Sequence, residues 1–189
     1  MKQADLLHSI TELEQHYRTP GKASVNKVST GLTTAMQSWL SRSPFFVFST
    51  FSSDGIDCSP RGDTAGEAFR LLDETTIAIP DRRGNNRIDS LRNLFQDPRV
   101  GLLFLVPGID EAIRVKGVAS ISINAALRQS FQTDKDDVPA SVILVNVRSA
   151  FVQNARALRR SRLWFEDSHV ERDTLPDAAK LSSGPMKDT

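Results

Sequence analysis

The chain has 189 residues, of which 39% are hydrophobic and 25% charged, and its formal net charge is +1. That length suits one domain able to bury a core without staples, and the near-balanced charge excludes a general attraction to nucleic acid or to an anionic membrane. Cys58 is the only cysteine, which excludes an intramolecular disulfide and a Cys-rich zinc site.

Leu6, Ile10, Leu13 and Tyr17 recur at helical spacing and predict an amphipathic helix over about residues 3–18, stopped by Pro20-Gly21. Val28, Leu32, Ala35, Met36, Trp39 and Leu40 form a second apolar stripe that ends before Pro44. Phe45–Phe51 is rich in aromatic and β-favouring residues, Asp54-Gly55 is a hairpin turn signal, and Ile56–Ser59 returns as the partner strand. Arg61-Gly62-Asp63 and Gly66 mark a loop, and Thr75–Ile79 is a third strand ending at Pro80. A short helix begins near Ile88, and Val100–Val106 is a nearly all-apolar, central strand. After Pro107-Gly108, Ala112–Ile123 alternates as a long strand and Asn124–Phe131 is a short helix with Asn124 as N-cap. Asp134–Asp137 reads as a solvated charge run, Ser141–Val147 is a sixth strand, Phe151–Arg160 is helical, and the tail from Asp173 is polar. Hairpin-like connections favour a small antiparallel barrel over an open parallel sheet.

No apolar run approaches the roughly 20 residues that span a bilayer. The first residues lack the apolar core of a signal peptide. A soluble cytoplasmic protein without membrane partners is the expectation. His8, His16 and His169 are scattered, and Cys58 has no histidine near it in sequence, so neither a metal site nor a thiol nucleophile is expected.

Three segments carry candidate chemistry. The first is Pro80 to Leu105, where a strand end, a loop holding Arg82, Arg83, Gly84, Asn85, Asn86 and Arg87, and a helix start follow one another. Unpaired helix N–H groups and a bidentate arginine together suit a phosphate. A solvated basic turn accounts for that loop equally well, and neither a P-loop nor a dinucleotide fingerprint is present. The second is Ser59-Pro60-Arg61-Gly62-Asp63, which taken alone reads as a turn closed by an Arg–Asp pair. The third is Arg159-Arg160-Ser161-Arg162-Leu163-Trp164, either a basic helix end or a surface that stacks on a planar ring. Nucleic-acid binding through Arg82, Arg83 and Arg87 is disfavoured by the charge balance and the lack of stacking motifs.

The ordered set of these segments resembles the flavin-binding split-barrel superfamily related to pyridoxamine 5'-phosphate oxidase, and within it the subgroup of FMN-dependent enzymes. The resemblance is carried by Phe48-Ser49-Thr50 with Asp54-Gly55, Ser59 to Asp63, Ile79-Pro80-Asp81-Arg82, and Gly84 to Arg87. It continues through Asn93, Pro98 to Phe104, Pro107-Gly108, Glu111, Arg114-Val115 with Gly117, and Ala155 to Trp164. It implies a mainly β fold with flanking helices, a six-stranded antiparallel split β-barrel, and a homodimer with FMN at the subunit interface. An N-terminal helical segment (1–43) would pack on the barrel domain (44–166), with a polar tail (167–189) beyond it.

Carried onto this chain, the resemblance places Arg61, Pro80, Asp81 and Arg82 near the flavin, with Asn85, Asn86 and Arg87 at the phosphate grip. Asn93, Arg114 and Lys116 join the cofactor-binding set, and Ser161, Arg162 and Trp164 approach from near the dimer interface. The activity implied is that of an FMN-dependent oxidoreductase of unspecified substrate. The alternative is a non-catalytic flavin or haem-related carrier or sensor. The Arg-x-Val-Leu-Leu-Lys segment of the true oxidases is replaced by Ser-Pro-Arg-Gly-Asp, and their C-terminal Arg-Leu-x-Pro is missing, which argues against pyridoxamine phosphate as substrate. No residue is assigned a catalytic role.

Overall fold

The computed structural model describes residues 6–19, 28–133, 137–154 and 156–182. Pro20-Gly21, most of the Asp134–Asp137 run and the end of the tail lie outside them. Within them the chain runs α1 (Ile10–Gln15), β1 (Val28–Ser29), α2 (Thr34–Leu40), β2 (Phe45–Ser52), β3 (Gly55–Gly62), β4 (Arg70–Leu71) and β5 (Thr76–Asp81). It continues through α3 (Asp89–Gln96), β6 (Asp97–Leu105), β7 (Glu111–Ser122), α4 (Ala125–Ser130), β8 (Ser141–Asn154), α5 (Arg156–Arg160) and α6 (Ala178–Ser182). No helix among the described residues is long and apolar enough to cross a membrane.

The strands form one antiparallel sheet in the order β3-β2-β6-β7-β8-β5-β4, with β1 paired to β8. All six expected strands are present, but the sheet has eight, because the two-residue strands β1 and β4 add to it. The sheet curls and does not close, as a split barrel requires. Its inner face carries the core. Phe46 and Phe48 of β2, Leu102 and Phe104 of β6, Ile113 and Val115 of β7, and Ile143 and Val145 of β8 are all buried there. Phe46, Phe69 and Phe104 meet at ring separations of 5.7, 5.1 and 4.8 Å in edge-on and tilted arrangements, the geometry that ring quadrupoles favour. α2 closes one end by burying Met36 and Leu40, with Thr33 accepting a cap bond from the Met36 N–H. Asn124 caps α4 as its sequence predicts, accepting from Leu127 N–H at 2.9 Å.

Several boundaries differ from the sequence expectation. Val28 is in a strand and not in the helix that its stripe suggested. β3 continues through Arg61 and Gly62, which the sequence placed in a loop. β6 starts at Asp97, where the Arg99 side chain and N–H bond the carboxylate and hold it down to about 2. Phe151–Asn154 is strand, not helix, and only Arg156–Arg160 is helical. α1 is shorter than expected and none of its residues is buried.

The β7–β8 ladder shifts register between Lys116 and Gly117, whose partners are Ser149 and Val147. At Gly117 an added Cβ would sit 2.6 Å from Asn146 O and 2.7 Å from Val145 Cγ1. The Gly117→Ala variant should therefore lose on the order of 1–3 kcal/mol of stability, as overpacked sites do. Urea unfolding checks this, and a midpoint equal to the wild type would contradict the close approach.

Candidate functional site

The sheet fails to close between β3 and β5. Each of these edges carries a proline, Pro60 in β3 and Pro80 in β5. Proline cannot donate to a ladder and is tolerated only where a sheet has an edge. β4 covers β5 only at Ile77 and Ala78, which leaves that edge open from Ile79 to Asp81. Side chains bridge the gap instead of backbone. Arg61 of β3 reaches Asp81 of β5 at 3.3 Å, and Arg82, just past β5, reaches Asp63, just past β3, at 2.8 Å. The two pairs are reciprocal: each edge supplies one cation and one anion.

A cleft of about 370 Å³ lies on the inner side of this seam. Along β3, Asp57, Ser59 and Arg61 alternate onto the same face and line it; Asp81, Arg82, the 84–88 loop and the start of α3 complete it. Ser90, buried in the first turn of α3, donates to Asp57 Oδ2 at 3.2 Å and lies 3.5 Å from Ser59 Oγ. These contacts tie α3 to β3. Asn93 ties α3 to β2, its amide donating to the buried Thr50 hydroxyl at 3.0 Å.

The loop opposite β3 is bent at two left-handed positions, Asn86 (φ 58°) and Ile88 (φ 50°). A β-branched residue there is an outlier that costs roughly 1–2 kcal/mol and persists only where surroundings enforce it. Ile88 is also the N-cap of α3 and supplies no side-chain acceptor to its first turn. A left-handed residue followed by a right-handed one gathers successive N–H groups into an anion-binding concavity, and the helix dipole adds to it. Asn85 shapes the loop by accepting from Arg87 N–H at 3.1 Å. The Arg87 guanidinium meets Asp89 at 2.8 Å, but both side chains are exposed, 73% and 47%, so the pair holds weakly, at about 0–1 kcal/mol. The cleft thus presents Arg61, a loosely held Arg87 and an uncapped helix start, donors of the kind that attract anions, beside the carboxylates of Asp57, Asp81 and Asp89.

Of the residues singled out from sequence, Arg61, Asp81, Arg82, Asn85, Asn86 and Arg87 come together around this cleft. Pro80 lines a second hollow on the seam, shared with Pro60, Arg61 and Arg82. Arg114, Lys116, Ser161, Arg162 and Trp164 do not line the cleft. Arg114 and Lys116 are exposed on the outer face of β7. The Trp164 indole donates to Ile109 O at 3.1 Å, and Arg162, itself left-handed at φ 56°, pairs with Asp167 and lies over Phe165. Sequence reasoning missed Asp57 and Ser90 and gave Ser59, inside its second candidate segment, no role; the i, i+2, i+4 spacing of Asp57, Ser59 and Arg61 was the available signal. Among the described residues, no group of His, Cys, Asp and Glu is placed to hold a metal.

The family model described as pyridoxamine 5'-phosphate oxidase matches residues 32–154, which span the seam and every strand of the sheet except β1. The chain belongs to the pyridoxamine 5'-phosphate oxidase family. Solved structures agree at the level of fold. HupZ of Group A Streptococcus is 19% identical with a TM-score of 0.52, over 65% of this chain and 94% of that one. A putative pyridoxamine 5'-phosphate oxidase from Lactobacillus delbrueckii is 19% identical with a TM-score of 0.51, over 65% and 95%. A further one from Listeria innocua is 15% identical with a TM-score of 0.50, over 64% and 96%. No curated protein sequence matches the chain.

If the seam pairs carry load, Arg61→Ala and Asp81→Ala should be non-additive. A double-mutant cycle on unfolding free energy should give a coupling of about 0.5–1.5 kcal/mol that shrinks in high salt. Additive losses would mean that the two side chains stand together without holding the edges.

Proposed function

We propose that this protein is an FMN-binding flavoprotein, and that it is an FMN-dependent oxidoreductase of the pyridoxamine 5'-phosphate oxidase class. The observation that carries the reading is the anion-seeking geometry of the 85–90 segment, where Arg87, the left-handed Ile88 and the open start of α3 converge opposite Arg61. The residues present fit a flavin phosphate: a cationic fork, free helix N–H groups and a strained backbone that needs an occupant to justify its cost. Arg87 and the α3 N-terminus would hold the phosphate, Asn85 and Asn86 would shape the loop about it, and Arg61 would face the cofactor from β3. When bound, the flavin supplies hydride-transfer chemistry; the chain supplies anchoring, orientation and exclusion of water.

The second part of the proposal is a homodimer. Pro60, Val47, Leu103, Arg114, Phe151 and Val28 are successive partners across β3, β2, β6, β7, β8 and β1, forming one row. All face away from the buried core; Val47, Leu103 and Phe151 are half-buried, and Val28 is 57% exposed. Apart from Arg114 the row is apolar, which suits association with a second copy. Arg114, Lys116, Ser161, Arg162 and Trp164 lie outside the cleft of their own chain, so a cofactor shared between two copies is what would give them a flavin to contact.

Protein purified without added cofactor should be yellow, or should turn so on adding FMN, and the released compound should have the mass of FMN. Colourless protein that takes up no FMN would sink the proposal. Reduction of the bound flavin by a reduced nicotinamide cofactor, with reoxidation by a substrate, separates an oxidoreductase from a flavin carrier or sensor. Arg87→Ala should weaken FMN binding by about 1.5–3 kcal/mol, the worth of a charge-assisted contact, while Arg172→Ala, at an exposed arginine that does not line the cleft, leaves it unchanged. Equal affinities would refute the phosphate assignment. Phe151→Asp should convert the dimer to monomer in light scattering, and a Phe151→Asp dimer would move the interface elsewhere.

A further inference from the structure

Arg82 sits at the seam but is engaged on every side by its own chain. Its guanidinium reaches Asp63 at 2.8 Å, Glu67 at 3.6 Å and Asp137 at 3.0 Å, and donates to Phe131 O at 3.3 Å. Nε and Nη2 are buried and meet their carboxylates as ion pairs without hydrogen-bond alignment. The three acids come from two places: Asp63 and Glu67 from the loop after β3, Asp137 from the segment leading into β8. Each is held by further contacts. Glu67 also pairs with Arg70, whose guanidinium donates to Ser130 O at 2.6 Å and lies over the Phe131 ring. Asp137 accepts from Thr133 Oγ1 at 2.7 Å.

Arg87 differs on each count. Among the described residues its guanidinium has one partner, the exposed Asp89 two residues away. A phosphate recruits Arg87 by displacing one surface carboxylate, but it could recruit Arg82 only by stripping three carboxylates of their shared counter-charge. Unpairing partly buried carboxylates in this way costs far more than an exposed pair does.

We infer that Arg82 is a positioning residue and not a ligand: it fastens the loop after β3 and the approach to β8 onto β5, and so sets the width of the cleft in which Arg61 and Arg87 face each other. This rests on the FMN reading as far as the ligand is concerned, but the clamp stands on its own contacts.

Two measurements test it. In thermal unfolding, Arg82→Gln and Asp137→Asn should be non-additive, the double variant melting close to Arg82→Gln alone; additive losses overturn the clamp whether or not flavin binds. In titrations with FMN and with riboflavin, which lacks the phosphate, Asp63→Asn should weaken both flavins by the same factor and keep their affinity ratio within about twofold of wild type. Asp63→Asn relieves Arg82 of a carboxylate, so if Arg82 were a phosphate ligand this variant would favour FMN selectively and raise the ratio, which would overturn the inference. Arg82→Gln, if folded, should likewise preserve the ratio, whereas Arg87→Ala collapses it; a collapse with Arg82→Gln makes Arg82 a ligand. Wild-type protein that binds neither flavin would end the FMN reading and leave the melting cycle to decide the clamp.

Discussion

The structure turns on an unclosed seam. β3 and β5 approach as two sheet edges that would complete a barrel, yet Pro60 and Pro80 each remove a donor at that place. Exposed edges invite pairing with other chains. Here they are occupied by reciprocal ion pairs, Arg61 with Asp81 and Arg82 with Asp63. Salt bridges can be partly open to water, as these are, with side chains 16–30% exposed. They hold the edges together and leave room between them. A backbone ladder would have filled the space in which the cleft lies.

Around the seam the protein divides rigid from adaptable parts. The inner face is a dense aromatic and aliphatic core whose central strands, β6 and β7, have no open edge. α3 is locked to that core through Leu94, to β2 through Asn93 and to β3 through Ser90. Its start is therefore fixed in space even though it lacks a cap. Strain at Asn86 and Ile88 is borne by this anchored helix on one side and β5 on the other. A preorganised anion site needs this combination: a donor array that a rigid scaffold prevents from relaxing onto itself.

The sequence was most legible where one local signal sufficed. Asp54-Gly55 located the β2–β3 hairpin, Asn124 the start of α4, and the apolar run from Val100 a central strand. The ordered loop motifs, through their family resemblance, gave the split barrel. Legibility failed where tertiary context overrides pattern. Val145 and Val147 alternate into the core, but the register shift near Arg148 moves the inward positions to the buried Ala150 and the partly buried Val152, so the period breaks after Val147 and the rest of β8 reads as helix. β1 and β4 are too short to have a period at all. At the site, the basic loop was visible as a cluster, but which arginine is spent internally was not. Asp63, Glu67 and Asp137 lie far from Arg82 in sequence, so only the fold shows that Arg82 is enclosed and Arg87 is not.

The central claim is that a flavin phosphate sits between Arg87 and the first turn of α3, with Arg61 facing it across the seam. The most direct measurement is a crystal structure of the protein with FMN. The account predicts phosphorus density within hydrogen-bonding reach of the Arg87 guanidinium and the α3 N–H groups, with Arg82 still on its three carboxylates. FMN bound with its phosphate outside this cleft, or a cleft that stays empty at saturating FMN, would contradict it.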